Sequence, residues 1–573
     1  MILHPALIML GAGLLIPFVP NTLRKVFLIL VPVVVLFASY QLQYGQELTV
    51  SFINNMELIY LKVDRLSWIF IFILAIVSLT SNLYSYHVTS GVQLSAQFIY
   101  VASSMGVVLA GDWLTLIFFW EVMAVSSTFL IWVSNNEEAK KAGFRYLLVH
   151  FVGGNLLLAG IFIKVSQGQL YITELTANMD LASILILAGV AINAAIFPLH
   201  AWLPDAYPKS TITGSVFMSC LTTKVAVYCL IRVFPGLEIL IWGGVIMCLV
   251  AVTYAMLAND LRVILSFHII SQVGYMVAAA GLGSDLALDG SVAHAFSHIL
   301  YKSLLFMGAG AIIYSTGYSK LTDLGGLYKL IPGVAILYFI GSLAISGVPY
   351  LNGFTSKALI LSASSIQQYP AVELLLYLAT IGTLISTCLK VVFYTFTGEP
   401  KKDYKIKKVP VHMYAAMTIT AALCFIYGVF PDLLYNRLPF EVNYVPYTFD
   451  HVISKIQLFL AATFMFILFI RTMEPKDVYL VDADWFYRKP FVYAVQYTSD
   501  MVVTIQESLG SVWLKGINST VPFFRNPLRK LNFIFNDMEI PDNYDADHYR
   551  VSIGMIMTVV LIVFVVSFLH LNI

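Results

Sequence analysis

Three basic side chains lie at four-residue spacing within one largely apolar stretch, "GSVAHAFSHILYKSLLFMGAGAII", residues 290–313. They are His294, His298 and Lys302, called the basic row below. Four residues turn a helix by about 400°, so the three side chains would lie nearly in line on one helix face. A charge at mid-bilayer costs at least about 2.5–3.5 kcal/mol, so such groups are rare in membrane spans and usually functional. Histidine and lysine can each hold or release a proton, whereas arginine stays charged. The basic row therefore predicts proton transfer inside a membrane.

Further ionisable side chains lie within other apolar stretches. They are Glu121 in "LTLIFFWEVMAVSSTFLIW", Lys224 in "VFMSCLTTKVAVYCLIRVF", His268 in "VILSFHIISQVGYM", Lys357 in "GFTSKALIL" and Lys390 in "LISTCLKVVFYTF". Bridged by water, these groups and the basic row would make a proton relay. Simpler interpretations remain for some of them. Glu121 and Lys224 could form a structural ion pair, His268 could be a hydrogen-bonded packing residue, and Lys390 could reach the cytoplasmic interface.

The sequence predicts neither a metal site nor a bound cofactor. Histidines 294 and 298 have metal-ligand spacing, but no nearby acidic residue or cysteine completes a zinc set. The five cysteines form no C-x-x-C pair, which argues against an iron–sulfur site. No basic tract indicates nucleic-acid binding. Any redox chemistry would therefore belong to partner subunits, and whether the chain is part of an enzyme stays open.

The composition is that of a membrane protein. The chain has 573 residues, of which 59% are hydrophobic and 11% are charged, whereas soluble domains carry about 25% charged residues. Its apolar runs are repeated and often have the length of about 20 residues that spans hydrocarbon. We predict an all-α polytopic membrane protein with about sixteen transmembrane helices.

Loop charges support this number of spans. If the amino terminus is outside, every second loop is inside and collects Lys and Arg. The predicted inner loops carry Lys140, Lys141, Lys209 and the run "EPKKDYKIKK" at 399–408. The opposite loops, such as "GSDLALD", are acidic or neutral. We also expect a multi-pass protein in the cytoplasmic (inner) membrane of a prokaryote.

Two predicted spans are interrupted in a similar way. One reads "AINAAIFPLHAWLPDAYPKS" and the other "LAISGVPYLNGFTSKALIL". Proline and glycine at this density break the helical hydrogen-bond ladder. The breaks fall five spans apart, and because five is odd, two such units would have opposite orientations. A matched pair of broken helices is typical of inverted-repeat transporters. The alternative is two unrelated kinks.

These patterns divide the chain into segments. We predict amino-terminal transmembrane helices in 1–94, a first inverted repeat (half-channel) in 95–236, a second in 237–398, carboxy-terminal core helices in 399–471, an amphipathic cytoplasmic or interfacial connector in 472–549 and a last transmembrane helix in 550–573. Prolines at 490, 522, 527 and 541 predict that the connector is a strap in pieces rather than one long helix.

Several motifs together are similar to one known family. They are "FFWEVMAVSS", "FPLHAWLPDAYPKSTITGSVFMSCLTTKVAVYCLIRVF", "NDLRVILSFHIISQVGYM", "HAFSHILYKSLLFMGAGAI" and "GVPYLNGFTSK". Across about residues 60–400 the chain resembles the antiporter-like subunits of respiratory complex I, membrane-bound hydrogenases and Mrp-type cation/proton antiporters, and most of all the Mrp D subunit. The resemblance implies fourteen core helices in two inverted five-helix repeats, a central hydrophilic axis and other membrane subunits as partners.

The resemblance also implies roles for individual residues. Glu121 corresponds to the family's key glutamate, Lys224 to the lysine after the first broken helix, and Lys357 to the lysine of the second. The basic row corresponds to the connecting helix between the two halves. One departure matters, because many members have a lysine where this chain has Asn193. Either Lys224 becomes the partner of Glu121, or proton transfer in the amino-terminal half is weakened.

We therefore expect a proton-translocating subunit of a larger membrane complex, with sodium/proton antiport as one version of that activity. Two alternatives stay open. The first is a largely structural subunit that keeps the fold but conducts little, which Asn193 would favour. The second is the membrane partner of an energy-coupled inorganic-carbon uptake complex.

Overall fold

The structure is a computed structural model that describes residues 3–52, 56–478, 480–525 and 553–570. It forms two compact units, Met1–Asp484 and Trp485–Ile573. Within the described residues, twelve helices are long and apolar enough to cross a membrane, and four shorter apolar helices accompany them. The prediction of an all-α polytopic membrane protein with about sixteen spans is confirmed.

The first unit begins with three helices and a β-hairpin. They are α1 (Pro5–Leu15), α2 (Asn21–Gln41), strands β1 (Glu47–Ser51) and β2 (Glu57–Lys62), and α3 (Arg65–Tyr84). The two strands pair antiparallel. An all-helical reading of the sequence misses this hairpin, although β2 alternates between buried and less buried side chains, as a half-buried strand does. The backbone N–H of Ile59 donates to the buried Asp112 carboxylate at 2.8 Å, which ties the hairpin to the start of the fifth helix.

Two sets of helices then follow one another with the same order of lengths. The first set is α4 (Gly91–Leu109), α5 (Trp113–Trp132), α6 (Glu137–Ser166), α7 (Leu181–Asn193) with α8 (Trp202–Ala206), and α9 (Ile212–Cys220) with α10 (Thr222–Val233). The second set is α11 (Ile239–Leu257), α12 (Leu261–Leu282), α13 (Asp285–Thr316), α14 (Pro332–Ser346) with α15 (Asn352–Ile366), and α16 (Pro370–Thr383), which continues as π-helix over Leu384–Val391 and Phe393–Thr397.

In each set the third helix is the longest, with 30 residues in α6 and 32 in α13, and the fourth is broken. Counting each broken helix as one span, each set contains five candidate membrane spans. Because five is odd, two such sets would enter the membrane from opposite sides, as an inverted repeat requires. Helix α13 is almost completely buried and packs against α3, α9, α12, α14, α15 and α17, so it forms the centre of the unit.

The remaining helices of the first unit are α17 (Val411–Val429), α18 (Asp432–Tyr435) and α19 (Phe449–Leu468), with short 3-10 turns at Ile16–Phe18, Tyr207–Lys209, Leu321–Asp323 and Leu327–Lys329. Helix α20 (Asp484–Arg488) lies at the boundary, and the second unit contains α21 (Pro490–Arg525) and α22 (Ile553–His570). Residues 490–525 form one helix of 36 residues, contrary to the expected break at 522. Pro490 occupies its first position, where a missing N–H costs nothing. The prolines at 527 and 541 lie outside the described residues.

Both predicted helix breaks are present. After α7, Ala195 has a left-handed φ of 56°, and the indole of Trp202 donates to the Ile192 carbonyl at 2.9 Å, which satisfies one of the carbonyls freed at the helix end. After α14, Gly347 and Tyr350 have φ values of 78° and 70°. A further break occurs at Leu221, between α9 and α10, although no proline or glycine lies beside it in the sequence.

The second break depends on close backbone packing, which gives a stability prediction. A Cβ on Gly353 would overlap the Ala344 carbonyl oxygen. Gly353→Ala should therefore lower the free energy of unfolding by about 1–3 kcal/mol, because overpacking forces the backbone apart. The measurement is the thermal unfolding midpoint in detergent. Gly516→Ala is the control, since a Cβ there meets no atom within 4 Å. Equal midpoints for the two variants would contradict the prediction.

Candidate functional site

Seven of the eight candidate side chains lie together in the interior of the first unit. They are Lys224, His268, His294, His298, Lys302, Lys357 and Lys390, none of them more than 3% exposed. They come from α10, α12, α13, α15 and the π-helical turns after α16. The eighth candidate, Glu121, is half-buried and lies elsewhere.

Three of the buried lysines bind carbonyls at helix ends. Lys224 Nζ donates to the Ser219 carbonyl, next to the break at Leu221. Lys357 Nζ donates to the Ile345 carbonyl at 2.8 Å, in the last turn of α14. Carbonyls in a last helical turn lack intrahelical partners and carry partial negative charge. The breaks in the helices thus create the sites that hold these ammonium groups.

Lys390 follows the same pattern. Its Nζ donates to the carbonyls of Met256 and Ala258, the latter at 3.0 Å, where α11 ends. These contacts bury Lys390 at the end of α11 that the loop charges assign to the inner side, where its residue is almost fully buried.

Lys302 occupies the middle of the arrangement. Its Nζ donates to the Leu265 carbonyl of α12 at 2.9 Å. It interacts electrostatically with Lys224 on one side and Lys357 on the other. No carboxylate forms an ion pair with any of these three lysines among the described residues. Repulsion between like charges therefore acts along the whole series.

The two histidines of the basic row connect Lys302 to α15. His294 Nδ1 lies 3.0 Å from the Ser356 hydroxyl, beside Lys357 in sequence. The His294 and His298 rings are 6.4 Å apart between centroids. Both ring nitrogens of His298 are buried and have no hydrogen-bond partner among the described protein atoms. The helical spacing of the row in the sequence therefore corresponds to three buried polar side chains along α13.

His268 links the basic row to Lys390. Its Nε2 lies 2.7 Å from the Ser386 hydroxyl in the π-helical segment, four residues before Lys390. It interacts electrostatically with Lys302, Lys357 and Lys390. His268 is thus hydrogen bonded, as the packing interpretation requires, and also adjacent to three charged groups.

Glu121 does not pair with Lys224, so the alternative interpretation of a structural ion pair between them is not supported. The Glu121 carboxylate lies over Gly154 of α6, where any Cβ would overlap it, and it borders a lateral cavity of about 480 Å³. Its environment includes no interaction with a lysine. The physical reason is that the Lys224 ammonium turns toward the Ser219 carbonyl and not toward α5. Lys224 does not substitute for the lysine missing at Asn193.

Polar side chains that sequence reasoning missed lie between Glu121 and Lys224. Tyr146, His150 and Gly154 follow one face of α6 at four-residue spacing. The rings of Tyr146 and His150 stack with centroids 4.0 Å apart. His150 Nδ1 lies 3.0 Å from the Tyr146 carbonyl, and its buried Nε2 has no partner among the described atoms. The spacing in "RYLLVHFVGG" was the available signal.

A group of buried tyrosines continues this line to the break before Lys224. The hydroxyls of Tyr100 and Thr222 are 2.6 Å apart, and that of Tyr146 lies 2.9 Å from Ser127. Tyr207 interacts with both other tyrosines. Thr222 is two residues from Lys224, so buried hydroxyls reach from α6 to the first lysine of the series.

A polar cavity of about 800 Å³ opens between loops of the positively charged side. Glu138, Lys209, Asp260 and Lys320 line it, together with Val263. Val263 lies less than one helical turn from the Leu265 carbonyl that binds Lys302. The cavity thus approaches the middle of the lysine series. No group of three or more metal-ligating side chains occurs in the described part of the chain.

Comparison with known proteins agrees with this architecture. Residues 110–386 match the family model described as NADH:quinone oxidoreductase/Mrp antiporter, transmembrane region. The D subunit of the Na⁺/H⁺ antiporter of Alkalihalophilus pseudofirmus is 32% identical over 352 residues, which cover 56% of this chain and 70% of that protein.

Two solved structures share the fold. The Mrp complex from Dietzia sp. DQ12-45-1b aligns with a TM-score of 0.75 and 21% identity, covering 90% of this chain and 62% of that chain. The membrane-bound sulfane sulfur reductase, an archaeal respiratory membrane complex, aligns with a TM-score of 0.71 and 21% identity, covering 98% of this chain and 99% of that chain. The chain is a multi-pass, antiporter-like membrane protein that belongs to the NADH:quinone oxidoreductase/Mrp antiporter family.

Proposed function

We propose that the chain conducts protons along the line Lys224–His298–Lys302–His294–Lys357, as one membrane subunit of a multisubunit complex. The observation that supports the proposal is the arrangement of three buried lysines that bind carbonyls in place of carboxylates, with Lys302 interacting electrostatically with both of the others. A carboxylate would fix the charge of each lysine, whereas carbonyls leave the amine free to exchange its proton.

Repulsion within the series supplies a mechanism. When a proton arrives at one lysine, the added positive charge disfavours the protonated form of its neighbours. The neighbour then releases its proton to the next group along the line. Groups at the two ends of the line are coupled in this way without direct contact. The direction of net proton movement depends on the driving reaction in the complex.

Water is the proposed carrier between the side chains. Buried polar atoms are nearly always hydrogen bonded, to protein or to ordered water. Both nitrogens of His298, Nδ1 of His268 and the hydroxyls of Ser297 and Thr387 are buried without a protein partner among the described residues. Those of Ser297 and His298 lie on α13 within the proposed line, and those of His268 and Thr387 lie toward Lys390, which supports a hydrated interior.

Glu121 joins this line through α6 in our proposal. The steps run from Glu121 to His150 and Tyr146, and then through the hydroxyls of Tyr207 and Thr222 to Lys224. The stacking of His150 on Tyr146 and the free Nε2 of His150 support it. This route would serve the amino-terminal half in place of the lysine missing at Asn193.

The α6 route makes a specific prediction. His150→Phe keeps a ring that can stack on Tyr146 but removes the exchangeable nitrogen, so proton flux should fall by about tenfold. His150→Gln keeps a polar group and should lose less. The measurement is acidification of vesicles that contain the assembled complex. Asn155→Leu, at a lipid- or partner-facing position of the same helix, is the control. Unaltered flux in His150→Phe would remove His150 from the route.

The exchanged cation and the partners are proposed from the relatives. Likeness to the D subunit of a Na⁺/H⁺ antiporter favours sodium, and likeness to chains of two membrane complexes favours neighbouring membrane subunits. We assign the half-channels to residues 95–236 and 237–398, and the connector 472–549 to a lateral contact with neighbours. Its helix α21 exposes Val512, Trp513 and Leu514. A prokaryotic cytoplasmic membrane is the proposed location.

A structural, non-conducting subunit is the second candidate. The observations that favour it are the unpaired Glu121 and the amide of Asn193 in place of a lysine. Lys224→Met discriminates between the two candidates. Conduction predicts a loss of about tenfold in proton flux, because Lys224 is the first proton-exchanging group of the line. Equal flux in vesicles with equal amounts of complex would support the structural candidate.

A further inference from the structure

A buried lysine outside the matched family region lies next to the end of the proposed line. Lys455 is in α19, and its residue is 4% exposed. Its ammonium lies 4.1 Å above the centroid of the Tyr377 ring. Among the described residues it has no hydrogen bond or ion pair. A lysine near a helix end ordinarily extends its head group to water, and Lys455 instead places it over an aromatic ring.

Two groups of opposite charge interact electrostatically with Lys455. One is Lys357, the last lysine of the proposed line. The other is Glu373 in the first turn of α16. Glu373 is half-buried, so it has access to the surface. Tyr377 lies one helical turn beyond Glu373 on α16, and its ring lies under the Lys455 ammonium.

The position of these residues indicates which surface they reach. Helices α16 and α19 both begin at loops that the alternation of Lys and Arg assigns to the outer side. Glu373 and Lys455 lie in the first two turns of these helices. The pair therefore lies between the buried Lys357 and the outer face.

We propose that Lys455 extends the proton path from Lys357 to the outer face, with Glu373 as the group that exchanges with solvent. The inference rests on the proposed function. A proton leaves the Lys357 ammonium and, through water, forms an N–H bond at the neutral Lys455 amine. The Lys455 ammonium then gives a proton to the Glu373 carboxylate, which releases it to solvent, so that no net bond or electron is gained or lost. The Glu373 carboxylate favours protonation of Lys455, and repulsion from Lys357, once it is protonated again, favours release of the proton from Lys455.

The test uses two replacements of Lys455 in the complete complex, reconstituted in vesicles. Lys455→Ala removes the exchangeable group. Lys455→Arg keeps a cation that can lie over Tyr377 but cannot release its proton. Both should lower proton flux by about tenfold or more, with an unchanged amount of assembled complex. Lys408→Ala, at an exposed lysine of the loop before α17, should keep full flux.

The outcomes separate this inference from the proposed function. Full flux in Lys455→Ala overturns the inference. Full proton flux in Lys455→Arg together with reduced flux in Lys455→Ala also overturns it, because a fixed charge and side-chain packing at this position would then be enough for transport. If Lys357→Met stops flux while both Lys455 variants conduct, the proposed function stands and Lys455 is not on the path. If Lys357→Met conducts normally, the proposed function itself fails.

Discussion

Lys302→Met should reduce proton translocation by the assembled complex by about a hundredfold. Lys302 lies between Lys224 and Lys357, interacts with both of these lysines and is fully buried. Methionine has a similar shape and leaves no unpaired charge, so the fold should be retained. The measurement is the pH change inside vesicles that contain a fixed amount of complex.

Two further variants give this experiment its controls. Lys302→Arg keeps a positive charge near the Leu265 carbonyl but cannot release its proton, so it should be as inactive as Lys302→Met. Lys140→Met removes an exposed lysine paired with Glu137 and should have no effect. Activity in Lys302→Arg close to the unmodified level would show that charge, not proton exchange, is needed at this position.

The second large effect is expected at Lys357. Lys357→Met should also lower proton flux by about a hundredfold, because this lysine connects the basic row to the outer end of the line. Its Nζ is held by the Ile345 carbonyl and lies 4.9 Å from the centroid of the Tyr275 ring. Tyr275→Phe retains that ring and should conduct nearly as well as the unmodified complex.

The Lys357 result has its own contrary outcome. Lys329→Met serves as the comparison, since Lys329 is an exposed lysine at the end of the 3-10 turn that precedes α14. If Lys357→Met and Lys329→Met both translocate protons at the unmodified rate, Lys357 is a structural residue of the second break.

The sequence allowed the main features of the site to be predicted, because each depends on local spacing. The basic row needs only the period of a helix to bring its three side chains into line. Both proline- and glycine-rich breaks were predicted from residues that cannot continue a helix. The separation of the two broken helices by five spans followed from the same signals and from the charges of the loops.

The remaining features depend on tertiary contacts or on backbone irregularities without a residue signature. Nothing in "SCLTTK" indicates the break at Leu221 that frees the Ser219 carbonyl for Lys224. No sequence pattern predicts the π-helical turns that place Ser386 beside His268. The carbonyl partners of the lysines therefore could not be named in advance.

Two residues illustrate how position in the fold changes an interpretation. Position 121 has the glutamate that the family resemblance implies, within a membrane helix as expected. Its carboxylate nevertheless faces Gly154 and a lateral cavity and not a lysine. Lys455 looks in the sequence like a lysine near a helix end, and only the packing of α16 against α19 buries it over Tyr377.

The most direct test of the account is an experimental structure of the intact complex at a resolution that reveals ordered water. The account predicts water molecules within hydrogen-bond distance of both His298 ring nitrogens, continuing to the Lys224, Lys302 and Lys357 amines as one chain. A dry interior in which the same nitrogens contact only carbon atoms would contradict it.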